Sequence, residues 1–127
     1  MQKPKKRIQQ LRQSRPMVFH LTKGDAKRTK RTRFGSVGML FHGDGIEAVS
    51  VSKENEEIDP KWFSQKKVDL ITVLQGRLCF EFEREDLASQ ILGAGDMLVL
   101  PAEVRCRAYR WPRSAKRPTL FLAVYPV

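Results

Sequence analysis

VDLITVLQGRLCFEFE (residues 68–83), REDLAS (84–89) and QILGAGDMLVLP (90–101) form one continuous block whose reading decides the fold. Its apolar runs are cut at Gly76, at Arg84 to Asp86 and at Gly93 to Asp96, the pattern left by short successive strands joined by tight turns. Within LCFEFE, Leu78, Phe80 and Phe82 alternate with Cys79, Glu81 and Glu83, so one side faces a core and the other faces water or a partner. Beyond Pro101 the alternation resumes. Val104, Cys106 and Ala108 share one face, Glu103, Arg105, Arg107 and Tyr109 the other, and a basic loop PRSAKRP leads to a final strand, TLFLAVYPV.

Working upstream, SVGMLFHG reads as a strand closed by the turn GDG at 43–45, and IEAVSVS follows it. Val49 and Val51 against Ser50 and Ser52 predict one buried and one wet face. KENEEIDPK is then an exposed polar loop that ends at Trp62 and Phe63. MVFHLT, from Met17, reads as a first strand, and KGDAKRTKRTR as a long basic loop. Between Pro4 and Pro16 only Ile8 and Leu11 stand at helical spacing, enough for one frayed turn or for disorder. About eight to ten short strands without a long helix predict an all-β sandwich, barrel or jelly roll, because an open sheet would leave its edges unprotected. The expected division is a basic arm over 1–16 and a single barrel over 17–127.

At 127 residues the chain is long enough for one domain that buries roughly 65% of its unfolded surface. Cys79 and Cys106 lie in strand-like runs without paired spacing, so neither a disulfide framework nor a zinc knuckle is expected. No apolar run approaches the ~18 residues of a membrane span, and MQKPKKRIQQ lacks the apolar stretch of a secretory signal. A cytoplasmic protein is the expectation. Charge is uneven: residues 1–33 hold twelve Lys or Arg against one acid, Asp25, whereas the remainder is nearly balanced. The basic character is therefore an appendage, densest at Lys27, Arg28, Lys30, Arg31 and Arg33.

Asp69 followed after six residues by Gly76, and Gly95-Asp96 followed by Pro101, resemble the two signature motifs of the cupin superfamily, small jelly-roll barrels. The resemblance spans about residues 60 to 111. It implies a cupin-type barrel and dimerisation, with Leu70 and Leu74 on the face opposite Asp69 in need of cover. In that family the first motif also carries a His-x-His pair, which falls here on Phe63 and Gln65, or on Trp62 and Ser64 with one residue more between the motif positions. The second motif carries a glycine and a histidine, which fall on Glu103 and Cys106. The framework is present and the metal ligands are not.

The residues themselves lead the same way. Iron, manganese or zinc wants several imidazole or carboxylate ligands converging from neighbouring strands. Gln65, Asp69 and Cys106 offer an amide oxygen, a carboxylate and a thiol, a poor set, so no metal and no cofactor are expected. Asp69 serves either a ligand or backbone donors at the start of its strand. Cys106 reads as a small buried hydrophobe, Gln65 as a loop-end hydrogen-bonding group, and Trp62 and Trp111 as core caps or rings at a barrel mouth. His20 and His42 read as ordinary strand or turn residues. No nucleophile elbow, P-loop, dinucleotide fingerprint or paired carboxylate is present.

The expected function is metal-independent binding of a small organic molecule inside the barrel, in a pocket built from Trp62, Gln65, Asp69, Ile71, Val73, Val99, Val104 and Cys106. No catalytic residue can be named. Two rivals from other classes remain: a metal-assisted enzyme of dioxygenase or isomerase type using Asp69 and Cys106, and weak, sequence-blind binding of nucleic acid or an anionic surface through the five clustered bases.

Overall fold

A computed structural model of the chain describes residues 15–23 and 27–127. Nine strands run through the described residues: β1 (Lys27–Thr32), β2 (Gly35–Gly43), β3 (Ile46–Lys53), β4 (Asp69–Gln75), β5 (Arg77–Phe82), β6 (Gln90–Gly93), β7 (Met97–Leu100), β8 (Cys106–Arg110) and β9 (Thr119–Pro126). They form a six-stranded sheet in the order β1-β2-β3-β9-β4-β7 and a three-stranded sheet in the order β6-β5-β8, with every pairing antiparallel. The two sheets close on each other as a jelly-roll barrel. Among the described residues no helix is long and apolar enough to cross a membrane.

Period-two alternation sets the interior. Across the larger sheet the register brings Val37, Val51, Phe121 and Val73 into one inward row, and Val49, Ala123 and Ile71 into the next. Leu78 and Phe80 of β5 meet these rows from the smaller sheet. At one end of the barrel the β4–β5 turn is made by Gly76 at φ +78°, where a Cβ would stand 2.8 Å from Thr119 Oγ1. That hydroxyl donates to the Arg77 carbonyl at 2.7 Å, so the glycine and the threonine lock two strands together.

The expected first strand is absent: residues 15–20 carry no regular structure, and the chain turns at 21–23, where the Lys23 N–H bonds to the His20 carbonyl at 2.9 Å. The basic stretch expected as a loop contains β1 instead. It pairs with β2 at the edge of the large sheet, where charged side chains are tolerated because one flank faces water. Ser50 and Ser52 are buried, contrary to the wet face expected for them. They are small side chains paired across the sheet with the larger Leu122 and Leu120. Residues 1–14, which hold most of the expected arm and the Ile8–Leu11 turn, and residues 24–26 lie outside the described residues.

Candidate functional site

Between the two sheets lies a cavity of about 470 Å³. Its walls follow from the alternation: Val49, Val51 and Lys53 from β3, Phe121, Ala123 and Tyr125 from β9, and Asp69 and Ile71 from β4. Phe80 and Ala108 face them from the smaller sheet, together with Cys106. The segment joining β3 to β4 adds Asp59, Lys61, Phe63 and Gln65, and the β1–β2 edge adds Lys30 and Thr32. Two backbone clamps hold this segment against β8. Phe63 and Cys106 exchange N–H to carbonyl bonds at 2.8 Å each way, and the Glu103 N–H donates to the Gln65 carbonyl at 2.8 Å.

Asp69 is the chemically unusual member of the wall. The residue is 2% exposed, and its Oδ1 has no hydrogen-bond partner. Burial pushes its carboxyl up to about 6, and no neighbouring cation pulls it back. An ionised acid held this way costs free energy that a well-paired one would not. Its neighbours stay neutral: burial and then the Asp69 charge push the Cys106 thiol up to about 12, and burial, Glu47 and Asp69 hold the Tyr125 hydroxyl at about 12. Cys106 is therefore no nucleophile near neutral pH. Lys53 is half-buried, and desolvation lowers its ammonium while Asp59 pulls it back up.

Gln65, Asp69, Ile71 and Cys106 are brought together on the cavity wall, as expected for a common pocket. Val73 lies deeper in the packed core and does not reach the cavity. Val99 stands on the outer face, 55% exposed, because β7 turns Leu98 and Leu100 inward; four consecutive apolar residues conceal that phase in the sequence. Val104 packs on the core's flank and, with Val99, borders a separate shallow depression of about 270 Å³. Trp62 is outside the cavity, its ring 4.4 Å from the Arg107 guanidinium. Arg107 in turn donates to Glu81 at 2.9 Å, and the Tyr109 hydroxyl donates to the same carboxylate at 2.6 Å; these two bonds hold Glu81 below the usual carboxylate range.

Of the five clustered bases, Lys30 joins the cavity wall, Arg31 lies 3.6 Å from Glu54 and Arg33 3.4 Å from Glu57. The side chains of Lys27 and Arg28 lie outside the description. Sequence reasoning missed Lys53, Ala123, Phe121 and Tyr125. Their signal was available: Lys53 continues the Val49, Val51 phase, and Phe121, Ala123 and Tyr125 alternate within β9.

No protein-family model matches the sequence, and no curated protein matches it. Solved structures do. The chain resembles a candidate mannose-6-phosphate isomerase of Ralstonia eutropha JMP134 (TM-score 0.68, 22% identity, covering 87% of this chain and 98% of the other). It also resembles an RmlC-like cupin of Shewanella frigidimarina NCIMB 400 (TM-score 0.65, 14% identity, 86% and 91%). The fold is the cupin jelly roll. At these identities the likeness carries the architecture and no activity.

Cupin folds are metal-binding scaffolds in many hands, so the donor set here has to be weighed. The two positions where the family pattern has its histidine pair are Phe63, which offers no donor, and Gln65; the third is Cys106. Asp69 and Cys106 both sit where burial favours the protonated form, which opposes metal ligation. Among the described residues no three His, Cys, Asp or Glu side chains are placed to hold a metal ion, and neither His20 nor His42 borders the cavity. These residues do not fit the cupin metal.

Proposed function

We propose that this cupin-fold protein binds a small organic molecule in the barrel cavity and does so without a metal. The observation that carries the reading is buried Asp69, which lines a cavity of about 470 Å³ and whose Oδ1 has no hydrogen-bond partner. A buried acceptor without a donor is rare in folded proteins, and a ligand donor is a direct way to satisfy it. The volume suits a small ligand, and the wall is largely apolar with a few polar groups that would orient the guest. Binding is favoured over catalysis because the one thiol in the wall is held protonated by burial and by the Asp69 charge, with no cation to stabilise a thiolate. The cytoplasm remains the compartment we assign, on the strength of two free, buried cysteines.

Native mass spectrometry of protein purified without chelator tests this reading. Wild type is expected to carry a non-covalent organic mass that Ala123→Phe, which fills the cavity, releases. The same preparation is expected to hold well under one equivalent of iron, manganese, nickel or zinc. Near-stoichiometric metal that disappears in Asp69→Ala or Cys106→Ala would reverse the reading in favour of a metal-assisted enzyme.

A further inference from the structure

The cavity is charged differently at its two ends. Glu47 pairs with Tyr125 at one end of β3, and Leu70 pairs with Val124, which brings Asp69 level with Tyr125. Lys53 closes the other end of β3, opposite Thr119. Lys53 stands six positions along the strand from Glu47, roughly 20 Å at ~3.3 Å per residue. Lys53 lines the wall with Asp59, whose charge acts on it, and with the exposed Lys30 and Lys61. Arg107, the remaining cation of the wall, is held away by its bond to Glu81 at 2.9 Å and by the Trp62 ring at 4.4 Å. The Asp69 end therefore holds an acid with no cation to answer it, beside Cys106 and Tyr125.

We infer that the ligand carries a protonated amine, which docks on Asp69 and leaves the rest of the molecule pointing toward Lys53. This deepens the binding function proposed above and rests on it. A hydroxyl would give Oδ1 its hydrogen bond and leave the buried charge unanswered; an ammonium supplies both. Lysines at the far end repel an ammonium and accept an acid, so a ligand bearing an acid group at its other end enters in one orientation only.

Calorimetric titration of the full chain at pH 7.5 with four six-carbon probes decides the matter: hexylammonium, 6-aminohexanoate, hexanoate and 1-hexanol. Both amines are expected to bind at least about tenfold more tightly than hexanoate. Asp69→Asn is expected to abolish that preference while retaining hexanol; Asp69→Ser serves in its place if the asparagine variant does not fold. Hexanoate binding as tightly as hexylammonium, or a preference unchanged in the Asp69 variant, overturns the amine and leaves the pocket standing. Failure of all four probes to bind overturns both readings together.

Discussion

Asp69 and Arg110 are both charged, both nearly inaccessible at 2% and 6% exposure, and each leaves one side-chain atom without a partner. Their surroundings differ. Arg110, at the end of β8, donates from Nη2 to the Arg113 carbonyl at 2.9 Å and from Nη1 toward the Glu54 carbonyl at 3.4 Å. It ties two loops to the smaller sheet beside the closed end of the barrel, where Gly76 and Thr119 interlock. Asp69 begins β4 in the other sheet and lines the cavity. One lone atom on an otherwise bonded guanidinium is a packing remainder. A buried carboxyl oxygen without a donor is a larger cost, and the closed end supplies the stability that carries it.

If that division is right, substitutions at the closed end should cost the most. Gly76→Val forces a β-branched residue to φ +78° with its Cβ 2.8 Å from Thr119 Oγ1. A loss of ~3–4 kcal/mol is expected from backbone strain plus the displaced threonine bond, read by urea denaturation. An unchanged midpoint would show that this end is not the anchor. Arg110→Met keeps the length and removes the donors, leaving two carbonyls unanswered. It should cost ~2–3 kcal/mol at any pH between 5 and 8.

The open end should respond with the opposite sign. Because burial raises the Asp69 carboxyl from 3.8 to about 6, the folded state holds a proton that the unfolded chain releases between these values. Its contribution to stability is fully present below about pH 4 and is lost as pH rises through about 6. Asp69→Asn escapes that loss. The variant should therefore be ~1–2 kcal/mol more stable than wild type at pH 7.5, with the gain fading toward pH 4. A destabilised variant at pH 7.5 would mean that the carboxylate already has an internal partner. The smallest effect is expected at Glu103, which occupies the left-handed region at φ +68° in the position where the cupin pattern has glycine. Glu103→Gly should raise stability by ~0.5–1 kcal/mol in thermal melts, and a loss would point to a role for the side chain itself.

Much of the frame was legible because turns and alternation leave local marks. Gly76 and Gly95 do adopt positive φ, and LCFEFE does place Leu78 and Phe80 inside. Gln65, Asp69 and Cys106, grouped from the cupin spacing, line one cavity. Failures came where local marks are absent. MLVL is apolar at every position, so nothing in it shows that Val99 points outward. KRTKRT lacks apolar alternation, and only its partner β2 makes it a strand. The opposition of Asp69 and Lys53 was out of reach, since it depends on the register of β3, β9 and β4, which no single stretch contains. Emptiness is likewise a property of facing walls: Ala108 and Ala123 leave room only because the two sheets set them in the same cavity.

The most direct test of an unanswered acid at the heart of the cavity is the proton on Asp69 itself. A pH titration of aspartate carboxyl carbons by 13C NMR, with Asp69→Asn to identify the resonance, should give a midpoint near 6 for the free protein. Saturation with 6-aminohexanoate should lower it, because a docked cation stabilises the charged form. A midpoint near the ordinary 3.8, unmoved by the amine, would contradict the account, since it would mean the charge is already compensated within the fold.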